Sequence, residues 1–469
     1  MTISLDTSRA ANLRGLCGGD VHLPGDPGYD AARMPWNVAV RQAPAAVALP
    51  RNAADVSAVV RAAAAAGLRV APQSTGHNAG PLAEQRLDDV VIVRTSTMNT
   101  VRVDADRRIC RVEGGAVWLP AVEAAARVGQ AVLHGSSPDV GIAGYSLGGG
   151  IGWYARTLGL ATNSLTAVEL VIGDGALVRA DATTNPELFW ALRGGGGNFG
   201  VVTALEFRTY PVESAYAGMM VWDMAHAERV LRAWTAWAPD APDEVTTAIR
   251  LMNLPPLPEL PELFRGRSLV VVDGAVLASD ERAREVLGEV RALAPETDTF
   301  GRVPASALVR LHMDPEGPTP AVSDSTMLGH LPDAGVDAFL EAAGPGSRTS
   351  LLLAELRQLG GALHRPQEGG GVLSHLSGTF TAFGCAIAAT PEMAAQGQAD
   401  AHRFTESLAP YANGRSYLNF AENTVETRSA YDEESWLRLK GIRSAVDEHG
   451  IFVANHAIPR LYENGRATD

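Results

Sequence analysis

Three glycine-bearing runs in the first 200 residues of this 469-residue chain limit what it can fold into. The first, Gln73-Ser74-Thr75-Gly76-His77-Asn78, follows an apolar stretch at 68–71 that reads as a strand. The second is Gly141-Ile142-Ala143-Gly144-Tyr145-Ser146-Leu147-Gly148-Gly149-Gly150, and the third is Gly194-Gly195-Gly196-Gly197-Asn198-Phe199-Gly200. Glycine admits a ligand close to the backbone, and successive N–H groups in a tight turn can cradle an anion. Three such runs in one region predict a large ligand with a diphosphate, and His77 among them predicts a covalent attachment point. Taken alone, the first run also suits an ordinary turn with a solvated histidine. The second would suit a flexible loop, but flexible loops are polar and this one carries Ile142, Ala143, Tyr145 and Leu147. That composition suits packing against a flat ring.

Other motifs are missing. No G-x-G-x-x-G follows the first strand, which argues against a nicotinamide-dependent dehydrogenase. The third run lacks the Lys-Ser/Thr of a phosphate loop and precedes a strand. There is no H-E-x-x-H pair and no G-x-S-x-G elbow, so neither a metal site nor a serine hydrolase is expected. Three cysteines without a C-x-x-C read as small buried apolar residues. A net charge of −14 disfavours nucleic-acid or anionic-membrane partners. Residues 1–14 carry polar positions throughout, with no leader-like apolar core, and no run is long enough to span a bilayer. A cytoplasmic enzyme is the expectation.

The periodicity predicts a strand at 47–50, a helix capped by Asn52 and ended by Gly67, and strands at 68–71, 90–93, 101–103 and 109–112. A helix over 118–128, a hairpin of 168–172 and 176–180 around Asp174-Gly175, a helix over 186–192 capped by Asn185, and a strand at 201–207 follow. Beyond a Pro-rich connection at 254–261, strands at 268–272 and 351–356 alternate with amphipathic helices such as 279–293. A strand at 417–420, a helix over 435–448 and an extended piece at 452–456 close the chain.

Together the three runs read as a flavin site. With Pro24-Gly25-Asp26, Tyr29, Arg33, Asn37, the run 188–202, Tyr417, Asn419 and Ala454-Asn455-His456, they resemble the berberine bridge enzyme-like FAD-linked oxidases of the vanillyl-alcohol oxidase type. The Gly-His-Asn variant is similar to bacterial hydroxynicotine oxidases and polyketide-tailoring oxidases of that group. The resemblance covers nearly the whole chain. It implies an α+β fold: a PCMH-type FAD-binding domain of two α/β subdomains at 1–210 (core about 40–210), a substrate domain at 211–410 with an antiparallel sheet flanked by helices, and a C-terminal segment at 411–469 returning to the first domain.

The resemblance also implies site residues. His77 carries FAD through an 8α-histidyl bond, Gln73, Ser74, Thr75 and Gly76 cradle the pyrophosphate through backbone amides, and Asn78 also lines the cofactor. Ser136, Ser137, Val140, Gly141, Gly144, Gly148, Gly149, Gly150, Val202 and Asn455 complete the cofactor set. Relatives with a second bond use a cysteine where this chain has Ser137, so a single attachment is expected. Val140 stands where family oxidases leave room for dioxygen. Tyr417 and Glu355 are the candidate bases and Tyr145 an orienting residue; Tyr417 needs a lowered pKa for that task. Glu355 and Arg357 share one strand face, a pattern that equally suits a solvent-facing ion pair. The implied activity is oxidation of a small secondary-metabolite-type substrate, with hydride transfer to FAD, reoxidation by dioxygen and release of hydrogen peroxide. Alternatives are a monooxygenase-like tailoring enzyme on a polyketide and a non-catalytic flavin-binding protein.

Overall fold

Val56, Val59, Val60 and Ala63 recur at helical spacing, and the helix Ala53–Ala65 buries all four. Its cap is Asn52, whose side chain accepts the Asp55 N–H at 3.0 Å. The strands on either side, Ala46–Ala48 and Arg69–Gln73, both pair in parallel with Val90–Arg94. Val21–His22 adds an antiparallel edge, completing a four-stranded sheet. In this computed structural model residues 7–463 and 466–468 are described; the first six residues of the polar 1–14 segment lie outside them.

A second sheet is antiparallel throughout, in the order Val101–Asp104, Ile109–Glu113, Val201–Arg208, Leu165–Val171, Leu177–Asp181. Its hairpin turns at Asp174-Gly175, where Gly175 takes φ +80°, a conformation glycine adopts at no steric cost. The helix Glu433–Val446 packs Trp436 and Leu439 into this sheet's core. The chain then reaches the first sheet. Val70 N–H donates to Ile451 O and Val453 N–H to Val70 O, at 2.7 and 2.8 Å. That pairing brings Asn455 and His456 beside the loop that follows Gln73.

From Ser214 onward the chain builds an eight-stranded antiparallel sheet, in the order Thr297–Asp298, Ser214–Asp223, Ser268–Val276, Val245–Asn253, Leu353–Gln358, Phe380–Ile387, Ala321–Leu328, with Gly301–Pro304 also on Ser214–Asp223. The helices Ala227–Trp237, Asp333–Ala343 and Pro391–Leu408 cover one face, packing Trp234, Phe339 and Phe404 into one core with the strand residue Trp222. Because strand side chains alternate, Arg250, Asp273, Glu355 and Arg357 point to the opposite face, the one that Ala248 and Ala275 share with Trp153 and Tyr154. The architecture is α+β, and no helix among the described residues is long and apolar enough to cross a membrane.

Four local expectations change. The stretch 279–293 is two helices, Asp280–Val286 and Gly288–Arg291, broken at Leu287 before a glycine. Asn185 precedes the helix Pro186–Leu192 but does not cap it; at φ +49° its side chain donates instead to Arg179 O at 2.7 Å. The run 141–150 is not a loop throughout, since Ile142–Leu147 is helical and buries Ile142, Ala143 and Leu147. Residues 418–420 form a 3-10 turn rather than a strand, leaving Tyr417 alone extended.

One buried cation joins the glycine-rich region to the large sheet. Arg156, on the helix Ala155–Leu158, is 1% exposed. It donates to Val245 O at 2.8 Å and to Leu359 O and Ala241 O. Burial pushes its pKa down to about 10, so it stays charged at neutral pH.

A second buried cluster lies on the sheet face opposite the helices. His312 is 3% exposed and stands between two carboxylates, with Nδ1 2.7 Å from Asp273 and Nε2 2.8 Å from Glu355. Arg250 donates to Asp273 at 2.6 Å. Burial and Arg250 oppose a charge on His312. Asp273, Asp314 and Glu355 outweigh them and push its pKa up to about 9.

Two outcomes follow. Arg156→Leu leaves three interior carbonyls without a donor and lowers unfolding stability by about 3 kcal/mol or more, read from the denaturant midpoint. His312 is raised in the folded state, so its contribution is complete below an unfolded pKa of about 6.5 and fades as pH rises through about 9. The stability gap between wild type and His312→Asn, measured by thermal unfolding, therefore narrows across that window.

Candidate functional site

Strand Arg69–Gln73 ends in the loop that carries the histidine. Gly76 takes φ +82° there, and a Cβ would meet Pro35 Cβ at 2.7 Å, so the position demands glycine on both counts. Thr75 Oγ1 stands 2.8 Å from His77 Nδ1, and Trp36 stacks on the imidazole with centroids 4.1 Å apart. Asp139 Oδ1 is 3.6 Å from His77 Nε2. The loop backbone is tied down as well: Trp36 N–H donates to Thr75 O at 2.9 Å. Asn455 Nδ2 donates to Asn78 O at 3.3 Å, and Asn78 Nδ2 donates to Leu418 O at 3.0 Å.

Against this tethering, the loop presents buried polar atoms that no protein group satisfies. Ser74 Oγ, His77 Nε2 and Asn78 Oδ1 have no hydrogen-bond partner. Buried polar atoms are normally paired, so Ser74 Oγ and Asn78 Oδ1 on one loop mark a place for a polar ligand, while His77 Nε2 faces the Asp139 carboxylate. Gly141 packs directly against it: a Cβ there would meet Ser74 Oγ at 2.6 Å. Gly144, one helical turn on, has nothing within 4 Å of a Cβ. A cleft of about 720 Å³ opens beside Ser74, Thr75, Gly115, Val117 and Asp139. Arg94 lines it too. Its guanidinium donates to Gln73 Oε1 at 2.5 Å and to the carbonyls of Met34 and Thr75. Burial pushes its pKa down to about 10. A half-buried cation bonded only to neutral oxygens, next to glycine backbone and orphaned hydroxyl and amide atoms, fits a diphosphate.

A second group gathers around Tyr417. Its hydroxyl accepts the Gly150 N–H at 2.9 Å and Asn419 Nδ2 at 3.3 Å, and Asn419 Nδ2 also donates to Tyr145 O at 2.9 Å. Tyr145 meets Trp118 edge-on at 5.3 Å, and its buried hydroxyl has no partner. Gly148 and Gly149 press on Asn419 and Tyr417, which explains glycine at both. Burial lifts the Tyr417 phenol well above its usual pKa, only partly offset by Asn419 and the Gly150 N–H. The lowered pKa expected of a base is therefore not found. Tyr145 is raised likewise, by burial and by Tyr417.

Glu355 is 2% exposed, so its pairing with Arg357 is not a solvent-facing one. Arg357 Nε donates to it at 2.7 Å, and the Arg357 guanidinium lies 5.3 Å above the Phe420 ring. Phe420 in turn touches Tyr417, centroids 5.1 Å apart. Burial opposes ionisation of Glu355, but Arg357 and His312 overcome it and hold the carboxyl well below the usual range. Among the remaining expected residues, Ser136 Oγ donates to Asp314 at 2.8 Å and Ser137 Oγ to Asp139 at 2.9 Å. Val140 O accepts the Trp118 N–H at 3.2 Å, and Val202 is buried with its carbonyl against Gly114. Asp139, Trp36, Arg94 and His312 went unread in the sequence. Asp139 alone carried a local signal, a carboxylate two residues after Ser137 at the entrance to an apolar glycine run.

Residues 44–181 match a family model described as an FAD binding domain. Over 205 residues the chain is 35% identical to (R)-6-hydroxynicotine oxidase of Paenarthrobacter nicotinovorans, covering 44% of each chain. It is 34% identical over 192 residues to the glucooligosaccharide oxidase of Sarocladium strictum, covering 41% of this chain and 38% of that one. These matches span less than half of either relative's length. Among solved structures, wild-type BBE-like 1 of Physcomitrella patens superposes with a TM-score of 0.83 at 22% identity, covering 98% of this chain and all of the other. The 6-hydroxy-D-nicotine oxidase of Arthrobacter nicotinovorans gives 0.78 at 23%, covering 93% and 97%. The chain thus contains an FAD binding domain, is similar over about two-fifths of its length to proteins named as oxidases, and has the fold of the BBE-like proteins.

Proposed function

We propose that this chain is an oxidase that carries FAD covalently on His77 and oxidises a small alcohol or amine, releasing hydrogen peroxide. The reading is carried by the 73–78 loop, a histidine flanked by the orphaned buried Ser74 Oγ and Asn78 Oδ1 inside the segment that matches the FAD binding domain. The backbone of Gln73, Ser74, Thr75 and Gly76, with Arg94, would hold the pyrophosphate. Asn78, Ser136, Ser137, Val140, Gly141, Gly144, Gly148, Gly149, Gly150, Val202 and Asn455 would line the remainder. We further assign the FAD domain to 1–210, the substrate domain to 211–410 and the returning segment to 411–469.

When bound, FAD supplies a two-electron acceptor that dioxygen can reoxidise. The chain's own residues bind and orient. Tyr417 is neutral at physiological pH. Its oxygen accepts two hydrogen bonds from the protein, so its proton remains to bond a substrate oxygen or nitrogen. Glu355 stays ionised, and its charge fixes Arg357 over Phe420 at the edge of the same site. Glu355 is thus a positioning charge rather than a free base, and Tyr145 packs and orients beside Tyr417. The names of the relatives, a 6-hydroxynicotine oxidase and a glucooligosaccharide oxidase, support an amine or an alcohol as the oxidised group.

Purified protein is expected to contain one FAD per chain and to release peroxide in step with dioxygen uptake when given a substrate of this class. A folded protein devoid of flavin overturns the reading. Tyr417→Phe keeps the flavin and loses about 100-fold in kcat/KM, measured by oxygen consumption. An unchanged rate removes Tyr417 from the substrate's contacts.

A further inference from the structure

We propose that Asp139 is a positioning residue for the attachment of FAD: its carboxylate sets the tautomer of His77 that leaves Nδ1 as the bonding atom. The inference rests on the covalent reading of His77 above.

Asp139 is held in place from three sides. Its Oδ2 accepts Trp36 Nε1–H at 2.6 Å and the Gly317 N–H at 2.7 Å, and its Oδ1 accepts the Ser137 hydroxyl at 2.9 Å. Oδ1 also faces His77 Nε2 at 3.6 Å, an atom buried with no hydrogen-bond partner. The indole that anchors the carboxylate also stacks on the imidazole, 17° from parallel. One side chain therefore fixes both groups. Burial works against a charge on Asp139, but the nearby His77 ring and the bonds from Gly317, Trp36 and Ser137 prevail and keep the carboxyl well below its usual range. A fixed carboxylate beside one ring nitrogen favours the proton on that nitrogen. The other nitrogen, Nδ1, then keeps its lone pair, which meets the Thr75 hydroxyl at 2.8 Å. Ser137 stands where a second flavin bond would need cysteine, and its hydroxyl instead braces the carboxylate.

Attachment forms a bond between His77 Nδ1 and the methyl carbon of the FAD ring and breaks a C–H bond at that carbon. The methyl proton leaves, the Nε2 proton passes toward Asp139, and the released electron pair goes to dioxygen. With those two protons dioxygen becomes hydrogen peroxide, so atoms and electrons balance.

The test uses full-length wild type and Asp139→Asn prepared alike. Total flavin is read by absorbance and the covalent fraction by fluorescence of the denatured chain. The linked nitrogen in the wild-type flavin peptide is read by NMR. Expected are attachment through Nδ1 in wild type and an Asp139→Asn protein that binds FAD with its covalent fraction down about tenfold or more. Wild type linked through Nε2 overturns the proposal, and it decides even if the variant does not fold. An Asp139→Asn chain as fully linked as wild type overturns the role of Asp139 and leaves the covalent reading of His77 intact. Wild type with no covalent flavin overturns both.

Discussion

Segments from five separate parts of the chain converge on the 73–78 loop, and the rest of the arrangement depends on that convergence. Trp36 reaches it from the N-terminal region, Arg94 from the neighbouring strand, and Asp139 from the entrance to the helix Ile142–Leu147. Leu418 and Asn455 reach it from near the C-terminus. A loop on its own would hydrate its polar atoms or collapse. Here the backbone is pinned by distant residues while Ser74 Oγ and Asn78 Oδ1 stay unpaired, an arrangement that withholds binding capacity from the protein and offers it to a ligand.

The same logic explains why the large sheet carries charge on one face. Its helix-covered face is apolar apart from the bonded pair Thr247 and Gln358, while Arg250, Asp273, Glu355 and Arg357 line the other, with His312 inserted among them. Burying five ionisable groups is tolerated because each finds an opposite charge within hydrogen-bonding distance. The outcome is rigidity at the edge of the Tyr417 group, since Arg357 cannot leave Phe420 without stranding Glu355.

Much of the fold was legible in the sequence, for local reasons. Val56, Val59, Val60 and Ala63 spell a helix face, Asn52 its cap, and Asp174-Gly175 a hairpin. Where local signals misled, tertiary contacts had priority. Asn185 takes a left-handed conformation and donates its amide to Arg179 O rather than accepting from its own helix, and Tyr417 is fixed by Gly150 and Asn419, not by a strand partner. The site was legible at its glycines and at His77, because close approach leaves a mark on composition. Its electrostatics was not. His312 lies 39 and 43 residues from the two carboxylates that charge it, and Trp36 lies 103 residues from Asp139. No spacing rule reaches across such intervals. Nor does sequence show that Tyr417 sits where burial raises its pKa.

The most direct measurement is the visible spectrum of the purified protein after acid denaturation and removal of small molecules, alongside His77→Ala treated identically. The account predicts that flavin absorbance stays with the wild-type polypeptide and is lost from the variant. Flavin that washes out of the denatured wild type, or that remains bound to His77→Ala, would contradict it.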